Sequence, residues 1–516
     1  MNQITLLWAD DEIDMLKPHV LFLEKKGYRV ITVNNGADAV EAVISQSPKV
    51  VFLDENMPGM SGLEALARIK ESRPEIPVVM ITKSEEEQIM EDAIGSKIAD
   101  YLIKPVNPNQ IVLSLKKLLD SGRIISEKTN LGYQQDFRNI AMAMMDANSL
   151  KEWKDIYKKL VYWELEIQKA QDQSMSEVLE TQMNEANRNF SDFIEKNYFN
   201  FLKQTGEDSP VMCHNLIRRK VVPHLDEKVP VFFILIDNLR YDQWKVIAET
   251  IKTLFKVENE GLSMSILPTT TQYCRNSIFS GLLPSEIEKR FPDKWFNDED
   301  EGGRNLYEAD FLKDLLQRLR LDIKHSYTKV TNLDNGKAMV NNIGNMFHNQ
   351  LNVIVYNFID TLSHARTDVS VMRELSEDEA AYRSLTDSWF KHSPLWEAMQ
   401  KMAEKKVKLI IATDHGSVKV KDPVKIIGDK NTTTNLRYKQ GKNLSYNVKE
   451  VFEIKKPELA FLPKVHVSSS FVFCKGTDFF AYPNNYNHYV KYYRDTFQHG
   501  GISLEEMLVP LVTLSN

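Results

Sequence analysis

The segment Ala412-Thr413-Asp414-His415-Gly416 places a carboxylate beside an imidazole where the apolar run Val407–Ile411 ends. Such a pair can offer an oxygen and a nitrogen to one metal ion. The dipeptide alone is a weak signal, since most Asp-His pairs are polar loop residues. Similar residues, however, stand at the ends of other apolar runs or before a glycine pair: Asp237, Asp360, His364 and His499. Together these three Asp and three His residues are about enough ligands for two Zn²⁺ ions.

A run of hydroxyl side chains, Pro268-Thr269-Thr270-Thr271, follows the apolar segment Met264–Leu267. A hydroxyl bound to Zn²⁺ loses its proton far more readily than in water and becomes a nucleophile. Two metal ions about 4 Å apart can clamp the attacking and leaving oxygens of a phosphoryl displacement. A Thr run before a helix is more often a helix cap. Its position between Asp237 and Asp360 is what favours a nucleophile here.

A second set of acids lies near the N-terminus, again after apolar runs. Asp10 and Asp11 follow the first run, Asp54 ends the third, Thr82 follows the fourth and Lys104-Pro105 follows the fifth. Carboxylates grouped at one rim of a sheet suit Mg²⁺. Asp54 could then accept a phosphoryl group, with the metal and Lys104 offsetting the charge and Thr82 bonding the new group.

The elements that must position these residues fall into three predicted domains. Residues 1–121 alternate short apolar runs with amphipathic stretches, which predicts a doubly wound (βα)5 parallel sheet. Residues 122–205 carry a helical pattern with no strand signal, which predicts a helical bundle that links or dimerises. Residues 206–516 contain continuous apolar runs typical of strands buried on both faces, which predicts a large α/β domain. The candidate strands are Ile4–Trp8, Val30–Val33, Val50–Leu53, Val78–Ile81, Ala99–Leu102, Pro230–Ile236, Val353–Ile359 and Lys408–Ala412.

The composition bounds the class of protein. A chain of 516 residues with 42% hydrophobic and 27% charged residues predicts a soluble, multidomain protein. The net charge of −7 argues against a general nucleic-acid binder. Three scattered cysteines predict a reducing compartment without disulfides or a thiolate zinc site. With no signal peptide and no apolar stretch near the roughly 20 residues of a membrane span, we expect a cytoplasmic protein without membrane insertion.

Residues 2–121 resemble the receiver domain of two-component response regulators. The resemblance rests on the spacing of the acids, on Met57-Pro58-Gly59 and on Lys104-Pro105. It implies that Asp54 is the phosphoacceptor and that a sensor histidine kinase is a partner. It also implies a Mg²⁺ site formed by Asp10, Asp11, Asp54 and Asn56, with Thr82, Tyr101 and Lys104 as the switch residues.

The C-terminal order of Asp237, Thr271, Asp360-x-x-x-His364, Asp414-His415 and His499 resembles the alkaline phosphatase superfamily. It is most similar to the nucleotide phosphodiesterase branch and to the PglZ domain. The resemblance implies two zinc ions, one held by Asp360, His364 and His499 and the other by Asp237, Asp414 and His415, with Thr271 as nucleophile. That branch has an Asn three residues after the nucleophile, where this chain has Cys274. Arg275 or Asn276 is therefore the expected replacement in substrate binding.

A receiver joined through helices to a PglZ domain resembles PorX-type response regulators. This architecture implies phosphorylation by a kinase, dimerisation on phosphorylation and a link to type IX secretion. Seven Lys or Arg residues between Ser417 and Asn443, Arg437 among them, could also rim the cleft and attract a polyanion, although a solvated loop explains any single lysine better.

Three functions compete at this point. The first is a receiver-controlled zinc phosphodiesterase that acts on nucleotide or oligonucleotide diesters. The second is a catalytically weak metal-binding regulator that signals through protein or nucleotide binding. The third is a DNA-binding transcription factor, which the acidic charge and the lack of a basic helix-turn-helix disfavour, so we expect no duplex DNA partner.

Overall fold

The computed structural model describes residues 4–83, 98–119, 121–225, 228–297, 305–368, 378–429, 432–464, 466 and 468–516; of these, the side chains of 121–128 and 364–368 are not described. The chain divides into two compact units, Met1–Gly132 and Tyr133–Asn516. The boundary lies inside a helix, Ser121–Asp146. The division into 1–121, 122–205 and 206–516 therefore stays a prediction.

The N-terminal unit contains the predicted parallel sheet. Its five strands run in the order β2-β1-β3-β4-β5, and every neighbouring pair is parallel. The strands are β1 (Thr5–Ala9), β2 (Arg29–Val33), β3 (Val50–Asp54), β4 (Val78–Thr82) and β5 (Asp100–Ile103). Alternate side chains feed two cores, with Leu7 and Leu53 on one face and Trp8 and Phe52 on the other. The described helices are α1 (Lys17–Lys25), α2 (Gly36–Gln46), α3 (Gly62–Ser72) and α4 (Pro108–Leu119).

Three long helices follow: α5 (Ser121–Asp146), α6 (Leu150–Ala170) and α7 (Gln173–Lys203). Ser149 starts α6 with a capping box to Glu152, which satisfies free amides of the first turn. The residues at helical spacing on α6, Trp153, Ile156, Tyr157, Leu160 and Val161, are buried as predicted. They belong to one core with the C-terminal strands. The helical segment from Tyr133 onward is thus part of the second unit.

The C-terminal domain is built on a six-stranded mixed sheet in the order β7-β19-β10-β6-β9-β8. Strands β10, β6, β9 and β8 are parallel to one another. At one edge, β19 pairs antiparallel with β10, and β7 pairs antiparallel with β19. The strands are β6 (Val231–Ile236), β7 (Lys256–Met264), β8 (His325–Val330), β9 (Leu351–Tyr356), β10 (Lys408–Ala412) and β19 (Leu508–Ser515). β6, β9 and β10 are buried along their whole length.

The C-terminal domain also contains ten described α-helices. They are α8 (Tyr241–Ile251), α9 (Thr271–Ser280), α10 (Pro284–Arg290), α11 (Glu308–Arg318), α12 (Leu333–Met346), α13 (Phe358–Asp368), α14 (Glu379–Lys391), α15 (Pro394–Ala403), α16 (Tyr486–Tyr493) and α17 (Leu504–Met507). The predicted strand Val353–Ile359 is too long at its end, since β9 stops at Tyr356 and α13 begins at Phe358.

An insertion between β10 and β19 forms three small sheets. They contain β11 (Val418–Lys419) with β18 (Phe497–Gln498), β12 (Asp422–Ile427) with β14 (Ser445–Tyr446) and β17 (Asp478–Ala481), and β13 (Tyr438–Gly441) with β15 (Val451–Ile454) and β16 (Ser470–Cys474). The β11–β18 pair brings the chain after His415 back beside the chain before His499. None of the described helices combines the length and the apolar character of a membrane span.

Candidate metal centre and phosphoacceptor site

The predicted phosphoacceptor, Asp54, lies where β1 and β3 end side by side. Asp10, Asp11 and Asp54 bring carboxylate oxygens within 4.8 Å of one another, so the three acids predicted to hold Mg²⁺ share one rim. Lys104 Nζ lies 2.8 Å from an oxygen of Asp10 and 3.0 Å from one of Asp54. Asn56, the fourth predicted ligand, is exposed two residues beyond Asp54.

The charge balance at Asp54 favours binding of a cation. Burial raises the pKa of Asp54 to about 6, and Asp10 and Asp11 add to that rise while Lys104 opposes it. A divalent cation would reduce this repulsion, and Lys104 would then be free to pair with a transferred phosphoryl group. The predicted switch residue Thr82 is buried, and its hydroxyl donates to the Glu55 carboxylate. Tyr101, its predicted partner, packs against the core formed with Leu7 and Leu53.

The second site lies at the carboxyl ends of β6, β9 and β10, which are neighbours in the sheet. Asp237 follows β6, and Asp414 and His415 follow β10. All three are buried, and one ligand atom from each lies within 4.8 Å of the others. His415 Nε2 is 3.8 Å from Asp237 Oδ1. The sequence therefore predicted a group of residues that does converge.

A second ligand group stands beside the first. His499 Nε2 lies 3.6 Å from Asp360 Oδ1, and the His499 ring stacks on His415 with 4.3 Å between centroids. His364 lies on α13, four residues after Asp360, so the predicted helical turn is present. The side chain of His364 is outside the described residues. The described members of the two groups thus meet at one place.

The histidines are held in the orientation that a metal ligand needs. His415 Nδ1 lies 3.1 Å from the Gly416 carbonyl oxygen, and His499 Nδ1 lies 3.3 Å from that of Thr269. If each Nδ1–H donates to its carbonyl, each Nε2 lone pair points toward the carboxylates. Gly416 is itself packed closely, because a Cβ there would come 2.0 Å from the Glu505 carbonyl oxygen.

The two buried carboxylates have opposite pKa shifts. Burial raises the pKa of Asp237 well above its usual range, and Asp414 and Asp360 add to the rise while Arg275 opposes it. Burial would also raise the pKa of Asp414, but Arg275 and His415 outweigh that effect and hold it at about 2. Two buried carboxylates with an imidazole nitrogen beside them form a donor set that fits Zn²⁺, and a bound cation would stabilise the charged form of Asp237.

Only one hydroxyl of the threonine run faces these ligands. Thr271 is the first residue of α9, and its Oγ1 lies 3.1 Å from His415 Nε2 and 3.5 Å from Asp237 Oδ1. Thr269 Oγ1 instead donates to the Gly501 carbonyl and accepts from the Gly500 amide. Thr270 is the helix N-cap in extended conformation. The free amides at the start of α9 also favour an anion next to Thr271.

Comparison with known protein families bears on this centre directly. Residues 216–514, more than half of the chain, match the model of the BREX system PglZ alkaline phosphatase-like domain. The chain belongs to the PglZ family. The segment before the PglZ domain, residues 123–202, matches the PorX response regulator linker domain, and residues 6–116 match the response regulator receiver domain. The chain therefore has the PorX-type architecture that the sequence predicted.

Two curated relatives are similar to a segment of the chain about as long as its receiver match. The chain is 34% identical over 119 residues to the probable transcriptional regulatory protein TcrX of Mycobacterium tuberculosis, which covers 22% of the chain and 50% of the relative. It is 30% identical over 118 residues to the transcriptional regulatory protein ResD of Bacillus subtilis, with 23% and 49% covered. The chain thus spans about half the length of these relatives.

Two solved structures are likewise similar to about a fifth of the chain. The receiver domain of NtrX from Brucella abortus is 30% identical, with 22% of this chain and 98% of that chain covered and a TM-score of 0.22. A LuxR-family DNA-binding response regulator from Staphylococcus aureus is 28% identical, with 22% and 98% covered and the same TM-score.

The predicted substrate contacts of the PglZ domain are all turned toward protein. Arg275 and Arg437 are fully buried, and Arg437 is paired with Glu506. Asn276 accepts a hydrogen bond from Asn305. The Cys274 thiol donates to the Ile266 carbonyl, behind α9. The structure does not bring Arg437 to the metal ligands.

Several basic side chains of the predicted cleft rim form bonds or ion pairs with other residues of the protein. Lys439 is 1% exposed and donates to the Thr433 carbonyl. Lys421 pairs with Glu180 on α7, and Lys419 lies 4.0 Å from Asp495. Lys430 lies outside the described residues. These contacts leave less free positive charge than the sequence suggests.

Sequence reasoning missed three residues around the PglZ centre. Asn238 has a left-handed backbone (φ 61°), and its side-chain amide donates to Asp360 Oδ1 at 3.3 Å. Asn357 and Glu308 contact Arg275. The Asp237-Asn238 pair at a strand end was a usable signal, because Asn tolerates this conformation better than most residues. Glu308 gave none, since it lies far from the ligands in sequence.

Proposed function

We propose that this protein is a two-component response regulator whose PglZ domain is a zinc-dependent phosphodiesterase controlled by phosphorylation of Asp54. The observation that carries the proposal is the position of the Thr271 hydroxyl, 3.1 Å from His415 Nε2 and 3.5 Å from Asp237 Oδ1. It is the only hydroxyl of the threonine run that faces the ligand atoms, and it lies at a helix N-terminus. A nucleophile at that place is not needed by a domain that only binds.

Asp237, Asp414 and His415 would hold one zinc ion, and Asp360, His364 and His499 the other. When bound, the zinc ions would lower the pKa of the Thr271 hydroxyl and offset negative charge on the phosphoryl oxygens. Thr271 Oγ loses its proton, attacks phosphorus and forms a P–O bond while the ester P–O bond on the opposite side breaks, and the leaving oxygen takes up a proton to give an alcohol. The free amides at the start of α9 stabilise the phosphoryl oxygens. Water then hydrolyses the bond between phosphorus and Thr271 in this threonine-linked diester, which releases a phosphomonoester and restores the hydroxyl.

Nucleotide or oligonucleotide diesters are the proposed substrates, by likeness to the phosphodiesterase branch. A sensor histidine kinase would phosphorylate Asp54, with Mg²⁺ held by Asp10, Asp11, Asp54 and Asn56. The PorX-type architecture supports dimerisation on phosphorylation and a role in the control of type IX secretion.

The test is the hydrolysis of bis(p-nitrophenyl) phosphate by Thr271→Val. Valine keeps the shape of threonine but removes the hydroxyl, so we expect turnover to fall at least 1,000-fold, on the order seen when a nucleophile is removed, with an unchanged thermal unfolding midpoint. Thr253→Val is the matched control, because the Thr253 hydroxyl bonds the Thr250 carbonyl on the surface. Turnover by Thr271→Val equal to that of the control would refute the assignment.

A second candidate is a regulator that binds metal without catalysis. One observation favours it: Arg275 and Asn276, the residues expected to replace the amide of the phosphodiesterase branch, both contact protein. Stoichiometric zinc in the wild type, with no turnover of aryl diesters or of dinucleotides, would support this candidate over the enzyme.

A further inference from the structure

Arg275 lies on α9 one helical turn after Thr271, with its guanidinium fully buried. A buried arginine needs partners for its positive charge and for its N–H donors, so the groups that it contacts indicate its role. Substrate cannot reach this side chain without displacing protein. Its partners are the metal-ligand carboxylates themselves.

Three strand ends meet at this one guanidinium. Nε donates to Asp414 Oδ2 at 2.9 Å, after β10. Nη2 pairs with Asp237 Oδ2, after β6. Nη1 donates to Asn357 Oδ1 at 3.2 Å, between β9 and α13 and three residues before Asp360. The Arg275 side chain therefore connects the helix that begins with Thr271 to the ends of β6, β9 and β10. These strand ends directly precede the segments that contain Asp237, Asp360 and Asp414.

The outer side of the guanidinium is fixed as well. Glu308 Oε1 lies 3.6 Å from Arg275 Nη1. Glu308 is itself 2% exposed, and its other oxygen accepts hydrogen bonds of 2.7 Å from the Tyr327 hydroxyl and from Lys329 Nζ. Arg275 is thus held between the ligand carboxylates and an acid that is anchored on β8.

The two carboxylate oxygens of Asp237 face different partners. Its Oδ2 pairs with Arg275, whereas its Oδ1 faces His415 Nε2 and the Thr271 hydroxyl. The planar guanidinium of an arginine can hold two carboxylates in this way, because its N–H donors point in fixed directions. A lysine offers a single point charge and cannot reproduce the arrangement.

We infer that Arg275 is the positioning residue that sets the nucleophile helix against the ligands of both metal sites, and that it does not bind substrate. This inference rests on the proposed zinc phosphodiesterase function. Without the Arg275 guanidinium, the carboxylates that it holds can rotate, and Thr271 can shift away from them. Metal affinity and the rate of the chemical step then fall together.

The test uses full-length Arg275→Lys and Arg275→Gln, with zinc affinity measured by chelator competition and kcat and KM measured on bis(p-nitrophenyl) phosphate. We expect zinc affinity to fall 10- to 100-fold, the usual effect of losing a partner of a metal ligand. We expect kcat to fall with little change in KM, and excess zinc to restore the metal content but not kcat. Glu308→Gln should cause a smaller change in the same direction, and it keeps the test open if the Arg275 variants do not fold.

Arg318→Lys is the matched control, because Arg318 pairs with Asp314 and contacts the far end of α9 at Ser280. A raised KM with unchanged zinc affinity in the Arg275 variants would show a substrate contact and overturn the inference. Wild-type protein that binds no zinc and turns over no diester would instead refute the proposed function. The two failures are therefore distinguishable.

Discussion

At the scale of single residues, burial decides what each charged side chain can do. Lys439 and Arg437 belong to the basic stretch that the sequence placed at the rim of a cleft, yet both are buried and bonded to protein. A count of lysines and arginines cannot separate these from exposed ones. The acids and histidines were easier to assign, because the carboxyl ends of parallel strands necessarily meet at one edge of a sheet.

Lys439 gives a prediction at this scale. Burial lowers its pKa from the usual 10.5 to about 8. The folded chain thus holds the proton less tightly than the unfolded chain, so stability should rise as the pH increases from about 8 to 10.5, and the full cost of burying the charge is present below pH 8.

The shift corresponds to about 3 kcal/mol. The hydrogen bond to Thr433 and the contact with the Tyr482 ring, 4.7 Å away, return about 1–2 kcal/mol of it. We therefore expect Lys439→Met to raise the free energy of unfolding by about 1–2 kcal/mol at pH 7 and by less at pH 9.5, as measured by chemical denaturation. A variant less stable than wild type at pH 7 would show that the lysine is better compensated than its pKa indicates.

At the scale of elements, the buried strands were predicted closely and their ends less well. The apolar run Val353–Ile359 continues past β9 because the first turn of α13 is also buried. Ile359 is fully buried, and Phe358 stacks on Trp389 with 4.2 Å between centroids. Periodicity cannot separate a buried strand from the buried helical turn that follows it. Arg275 was predicted as a substrate contact, and its bonds to three strand ends could not be foreseen, because its partners come from segments far apart in sequence.

The loop that carries His499 is held by a buried ion pair between Glu506 and Arg437. Glu506 Oε1 accepts from the Gly501 amide at 2.9 Å, and both Glu506 oxygens accept from Arg437 next to β13. Both side chains are fully buried. Arg437 and Glu506 therefore support the loop that carries one proposed zinc ligand, although neither of them is itself a proposed ligand.

Glu506→Gln should disturb this support, because it leaves the Arg437 charge buried without its partner. Breaking a buried ion pair costs about 3–5 kcal/mol. We expect a lower thermal unfolding midpoint and fewer than two bound zinc ions per chain by metal analysis. The exposed pair of Glu458 with Lys464 provides the control variant, Glu458→Gln. Full zinc content in Glu506→Gln would show that the His499 loop does not need the ion pair of Glu506 with Arg437 to bind zinc.

At the scale of the whole molecule, the receiver and the PglZ domain lie in different compact units. The helical segment from Tyr133 shares a core with the PglZ domain. The sequence predicted the three kinds of structure, but it could not predict this grouping. The aromatic residues on one face of α6 look the same whether they pack within a bundle or against a neighbouring domain.

Asp54→Asn tests the control of one unit by the other. Asparagine cannot accept a phosphoryl group, so acetyl phosphate with Mg²⁺ should shift the wild type toward a dimer in light scattering and leave Asp54→Asn unchanged. Any change in diester turnover caused by acetyl phosphate should disappear in the variant as well. Zinc content should match the wild type, since Asp54 lies outside the unit that holds the proposed zinc ligands. A dimer formed equally by both proteins would contradict control through Asp54.

The central claim is that Asp237, Thr271, Asp360, His364, Asp414, His415 and His499 form a two-zinc phosphodiesterase site. Its most direct test is metal analysis of the purified wild type and of Thr271→Val, combined with turnover of bis(p-nitrophenyl) phosphate. The account predicts about two zinc ions per chain in both proteins, with turnover in the wild type only. A wild type without zinc, or turnover that survives Thr271→Val, would contradict it.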